Sequence, residues 1–258
     1  MPSPSCNARS ASSQIPANWL TGNSDTDRPW LTGRVPDGYW HSRPNRLHYL
    51  DWLGRRLGFV APDDWYRLRN IHFIHNHGST LLQKIYGSSV QTAMRDFLPG
   101  RDWIPWLFAS TPRGFWKEAR NRREYMTWLE QRIGITSPED WYGVSLAVFA
   151  EHGGSGLLVN YFQGSLLSAL HEYLPTYDWK PWLFSKVPNG FWTLPNNRRR
   201  YFEWLADRYG LHGLDDWKAL TRRAIHDSSG ATLLCDQYAG SLGRLIEDVV
   251  AMELVPQE

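Results

Sequence analysis

Cysteine is nearly missing from this chain: of its 258 residues only Cys6 and Cys235 carry a thiol. Two distant cysteines can build neither a disulfide framework nor a Cys-based zinc site, and a reducing intracellular compartment is the simplest expectation. Long apolar runs are lacking too. Nothing approaches the roughly 20 apolar residues that a membrane-spanning helix needs, and the Ser-, Pro- and Asn-rich opening from Met1 to Gln14 has no apolar core of the signal-peptide kind. Neither a membrane partner nor secretion is expected. Charge of one sign is also scarce, since 28 Lys and Arg face 26 Asp and Glu for a formal charge of +2, too small an imbalance to point to nucleic acid by itself. The glycines follow neither a GxGxxG nor a Walker-type pattern, and no cofactor or small-molecule substrate is indicated.

What the chain has in excess is tryptophan, 15 residues of it, and these are periodic. Gly38-Tyr39-Trp40, Gly114-Phe115-Trp116 and Gly190-Phe191-Trp192 are spaced by 76 residues both times, and the match runs on without a gap. Asn45-Arg46, Asn121-Arg122 and Asn197-Arg198 follow in step. So do Tyr49, Tyr125 and Tyr201, then Trp52, Trp128 and Trp204, then Arg56, Arg132 and Arg208. Further along come Asp64-Trp65, Asp140-Trp141 and Asp216-Trp217, the Leu pairs starting at Leu81, Leu157 and Leu233, and Ser89, Ser165 and Ser241. A constant offset of this length marks a repeat array. Because Pro29-Trp30-Leu31 stands 76 residues before Pro105-Trp106-Leu107, three whole units are expected at 29–104, 105–180 and 181–256, with 1–28 as a disordered leader.

The periodicity within a unit predicts an all-α fold. Tyr125, Trp128, Leu129, Arg132 and Ile133 recur at three- and four-residue steps on one face of a helix closed by Gly134. Ser137-Pro138-Glu139-Asp140 reads as a capping box opening a second helix that carries Trp141 and Phe149 inward. After Gly153-Gly154 comes a short apolar run, and Ser165 is placed to cap a last helix ending at Leu174. Each unit is therefore expected to hold three or four short helices. The Pro- and Trp-rich segments between units, such as Trp179 to Trp192, read as extended straps over the junctions.

Several residue patterns carry candidate chemistry. The aromatics could serve as stacking platforms, but their place on apolar helix faces favours a core role. Asn45-Arg46, Asn121-Arg122-Arg123 and Asn197-Arg198-Arg199-Arg200 put cations at a helix start, where the helix dipole disfavours them unless an anion is near. Two readings stand: contact with nucleic-acid phosphate, or a structural ion pair to an internal acid such as the Asp of the Asp-Trp pair. The Gly-Ser turns at 164–165 and 240–241 resemble a helix-turn-helix, although the helices after them are not basic. His72, His75 and His77 form one cluster, but Val148, Glu151 and Gly153 replace them in the next unit, which argues against metal. The paired acids Asp63-Asp64, Glu139-Asp140 and Asp215-Asp216 fit a helix's first turn better than hydrolysis. By unit, Lys and Arg against Asp and Glu number 10 and 6, 7 and 8, and 9 and 9, so the first unit alone is clearly positive.

The string Gly-Phe-Trp, Asn-Arg-Arg, Tyr-x-x-Trp-Leu, Asp-Trp-Tyr, Gly-Gly-x-Gly-Leu-Leu, Gly-Ser-Leu and Trp-x-Pro-Trp-Leu-Phe, seen best at 114–184, resembles an uncharacterised family of tandem Trp-rich repeats. Similar repeats sometimes accompany restriction-like or homing-type nuclease modules in larger eukaryotic and viral proteins, which implies a DNA-associated role. No such module is present in these 258 residues, and the resemblance supplies no catalytic residue. The expectation is thus a non-enzymatic intracellular binding array. Nucleic acid, DNA more than RNA, is slightly favoured as its ligand; a protein-interaction scaffold is the close rival and a hydrolase a remote one.

Overall fold

The computed structural model describes residues 28–254; the expected leader, apart from Arg28, lies outside the described residues, as do 255–258. All regular elements among the described residues are α- or 3-10 helices, as the periodicity predicts. The chain divides into two compact bodies, one ending at Glu118 and one beginning at Ala119, so three sequence repeats are distributed over two bodies.

Each repeat is founded on one long helix: Arg43–Arg56, Ala119–Ile133 and Pro195–Tyr209. The buried face is Tyr49, Leu50 and Leu53 in the first, Tyr125, Met126 and Leu129 in the second, Tyr201, Phe202 and Leu205 in the third. Beyond the helix the chain turns at Gly58, Gly134 and Gly210, whose φ values of 71°, 75° and 64° suit a residue without Cβ. The buried tyrosine rings reach across to a second glycine. A Cβ on Gly78, Gly154 or Gly230 would lie 2.1 Å from the hydroxyl of Tyr49, Tyr125 or Tyr201. This contact fixes how the long helix meets the turn before the short helices Ser79–Lys84, Ser155–Asn160 and Ala231–Tyr238.

The expected second helix is divided. In the first two repeats a 3-10 segment, Pro62–Arg67 or Pro138–Gly143, carries Trp65 or Trp141 and is followed by a separate α-helix, Asn70–His75 or Leu146–Glu151, that carries Phe73 or Phe149. The third repeat has Leu214–Ala219 and Arg222–Asp227 in the same places. Leu68, Val144 and Leu220 between the two pieces are extended, with ψ of 134°, 128° and 136°. Leaving the helix there turns Leu68 and Leu220 into the core, which an unbroken helix would carry round to another face. The capping box is as expected, with Ser137 at the cap, Pro138 in the first turn and Asp140 three residues after the cap. It is the carboxylate of Asp140, accepting from the backbone N–H of Thr136 (2.8 Å) and Ser137 (2.9 Å), that closes the start. Asp64 and Asp216 do the same over Ala61 and Gly213.

Ser89, Ser165 and Ser241 cap the last helices, Val90–Phe97, Leu166–Tyr173 and Leu242–Ala251, each side chain accepting from the N–H three residues on. The straps pack back on the repeat before them, and the second is a double-sided seam. Trp103 and Phe108 pack on Tyr66 with ring centroids 5.2 and 4.9 Å away; Trp179 and Phe184 pack on Tyr142 at 5.6 and 4.8 Å. Trp182, between the latter two in sequence, faces the following repeat, 5.6 Å from Tyr201 and 5.7 Å from Trp204. Of the 14 described tryptophans, 11 are buried, which assigns them to the core rather than to stacking platforms. The half-buried Trp52 and Trp204 instead lie under the guanidinium groups of Arg56 and Arg208, at 5.7 and 5.3 Å.

Candidate binding surfaces

The Asn-Arg pairs are built into the fold. Asn45 Nδ2 donates to the carbonyl of Tyr39 (2.9 Å) and Asn197 Nδ2 to that of Phe191 (2.7 Å); Asn121 also has interaction partners. Arg46 donates to Asp96 Oδ2 (2.8 Å) and to the carbonyls of Trp40 (3.2 Å) and His41 (2.9 Å). Arg198 repeats this with Asp248 (2.9 Å), Trp192 (2.9 Å) and Thr193 (3.1 Å). Arg122 meets Glu172 Oε1 at 2.5 Å and stacks over the ring of Tyr161 at 4.0 Å. The internal acid is thus Asp96, Glu172 or Asp248 from the last helix, 50 residues on. It is not the Asp of the Asp-Trp pair, which is occupied with capping. Each arginine clamps the helix start, the preceding 3-10 turn (in repeats one and three) and the last helix together.

Electrostatics agrees with that reading. Burial pushes the Asp96 carboxyl up, but hydrogen bonds from Arg46, Tyr86 and Arg43 outweigh it and hold the group below its ordinary value. The same bond to Asp96 raises Arg46. Burial, then the neighbouring carboxylate, raises the phenols of Tyr86 and Tyr238. Among the remaining candidates, Arg199 pairs with Glu203 (3.1 Å) and Arg200 with Asp178 (2.7 Å). Arg123 is exposed, and its charge acts on Tyr173.

A different group of cations faces outward in the first repeat. Arg67, Arg69 and His72 line a cleft of about 480 Å³ together with the rings of Phe59 and Tyr66. Arg67 lies over Phe59 at 5.6 Å, while His72 Nδ1 accepts from the Arg69 N–H at 3.1 Å. Burial first, then the charges of Arg69, His75 and Arg67, lower the His72 pKa. The second repeat has Gly143, Ser145, Val148 and Glu151 in place of Arg67, Arg69, His72 and His75, and the third has Ala219, Thr221, Ala224 and Asp227. The +4 excess of unit one is the sequence signal for this surface, with Arg67 and Arg69 among the cations that make it up.

The remaining candidates separate. Asp63 engages Arg101 while Asp64 caps the helix start, so the paired acids share no target. Among the described residues no three His, Cys, Asp or Glu side chains converge as metal ligands, and no helix is long and apolar enough to cross a membrane. The helix-turn-helix-like element exists in outline, with left-handed Gln163 and Gly164 between Ser155–Asn160 and Leu166–Tyr173. Its last helix directs Glu172 at Arg122. No family model, curated protein or solved structure matches this chain.

Proposed function

We propose that this chain is a non-enzymatic, repeat-built binding module that holds nucleic acid, DNA in preference to RNA, on the cationic cleft of its first repeat. The observation carrying this reading is the gathering of Arg67, Arg69 and His72 beside Phe59 and Tyr66, with the charge of His75 acting on His72. Guanidinium groups suit phosphate and the aromatic faces suit bases. The Asn-Arg pairs do not carry it, because their donors are directed inward.

A salt titration of binding to random duplex and single-stranded DNA and to RNA tests the proposal. Affinity should fall steeply with salt, and replacing both Arg67 and Arg69 with Gln should flatten the log–log slope by about 2 for duplex DNA. Lower pH should strengthen binding: burial first, and then the charges of Arg69, His75 and Arg67, hold His72 below its ordinary value, and a bound phosphate would offset the charge part of that penalty, so proton uptake accompanies association as pH falls through the ordinary imidazole range. Absence of binding at low salt would sink the reading. It would favour the rival, a protein-interaction scaffold, for which the exposed Ile71 and Ile74 on the same short helix speak.

A further inference from the structure

The strap after the first repeat is tied down by the carboxamide of Gln91, and a second carboxamide, that of Asn70, ties the turn at Ser88 within the repeat. Gln91 is buried, and its single Nδ-equivalent nitrogen, Nε2, donates to the carbonyls of both Pro105 (3.1 Å) and Ser110 (3.2 Å). Asn70 Nδ2 donates to the carbonyl of Ser88 at 3.3 Å. At the counterpart positions of the second repeat stand Leu167 and Leu146, which offer no donor. There the counterpart backbone residues Pro181, Lys186 and Gly164 line a pocket of about 360 Å³, together with both leucines. Leu146 is half exposed, an unfavourable place for an apolar side chain with nothing upon it.

We infer that this pocket of the second repeat binds a small neutral ligand bearing a primary carboxamide on a short apolar stem. The first repeat supplies the template. One NH2 nitrogen with two planar hydrogens satisfies two strap carbonyls there; Pro181 and Lys186, the counterparts of Pro105 and Ser110, both line the pocket, and their carbonyls would be the corresponding acceptors. That of Pro181 already receives the Phe184 N–H at 3.3 Å, leaving a second lone pair for the ligand. The stem would lie against Leu146, Leu167 and Phe184. A hydroxyl has one hydrogen and cannot bridge both carbonyls. An ammonium is disfavoured because the lining contains Lys186 and no acid. The volume lies at the lower end of the range for small-molecule sites.

The test uses the full chain with hexanamide, N,N-dimethylhexanamide and hexylammonium as probes, followed by protein-observed NMR titration. Hexanamide should saturate, with shifts centred on Leu146, Leu167 and Lys186, and the other two should bind at least tenfold more weakly. Leu167→Gln should abolish binding by placing the protein's own amide on the strap, with helical circular dichroism retained and thermal stability undiminished. Leu146→Asn should weaken binding by removing apolar surface that the stem would lie against, and carries the test should Leu167→Gln not fold. Equal affinity for the dimethylamide, or hexanamide binding unaltered in a folded Leu167→Gln or Leu146→Asn protein, would overturn the inference. So would the absence of saturable shifts up to the solubility of hexanamide.

Discussion

The first and second repeats place Tyr, Leu and Trp side chains at the same core positions but differ around the arginine that ties each repeat together. In the first, Arg46 and the Tyr86 hydroxyl both engage Asp96; the third repeats this with Arg198, Tyr238 and Asp248. In the second, Phe162 replaces the tyrosine and Glu172 the aspartate, and a pocket of about 590 Å³ opens beside Arg122, Phe162 and Glu172. The contrast separates two kinds of constraint. The close contact of the buried tyrosine with its glycine admits the same two residues in every repeat, whereas the polar tie between helix start and last helix tolerates exchange so long as an arginine meets a carboxylate.

The largest expected effect comes from breaking what the repeats share. Gly78→Ala and Gly154→Ala should each cost about 3 kcal/mol or more, because the new Cβ would collide with a buried tyrosine hydroxyl in both. Urea melts that resolve the two compact bodies would check this. A tolerated alanine would show that the tyrosine can yield. Next, Arg46→Gln should cost about 2–3 kcal/mol and Arg122→Gln about 1 kcal/mol: Asp96, with 19% side-chain exposure, is left unpaired in a drier place than Glu172, with 38%. Equal losses would mean that the arginine stacking on Tyr161 compensates for the weaker ion pair. The smallest effect should be Tyr86→Phe, a loss of about 1 kcal/mol as one hydrogen bond to a carboxylate disappears. The converse change, Phe162→Tyr with Glu172→Asp, should recover a similar amount in the second repeat and narrow its pocket, as a thermal melt would show.

Helix content, the 76-residue period, the Ser165 cap and the inward placement of Trp141 and Phe149 could all be read from the chain, because each is a local pattern with a local cause. The division of the second helix could not. It follows from burial of Leu68 and Leu220 in a core assembled from distant segments. Nor could the partner of Arg46 be identified by proximity in sequence, since Asp96 belongs to a helix that closes over the long one only in the folded repeat. Repetition was informative about architecture and silent about this surface: the outward cations at Arg67 and Arg69 occur once, and the charge excess of the first unit marks them instead.

A period specifies a length and leaves the starting point free; duplication can copy 76 residues from any phase and generate the same chain. The strap makes that freedom visible in the protein. With Trp179 and Phe184 committed to the repeat before and Trp182 to the repeat after, a cut between Lys180 and Pro181 falls between residues serving different cores, and each fragment would keep aromatic positions whose partners had left with the other. Within the second body, then, the heritable unit and the smallest self-sufficient unit are different objects. An excised single repeat would have to carry the strap on both of its sides, and neighbouring repeats therefore compete for one strap when they are separated.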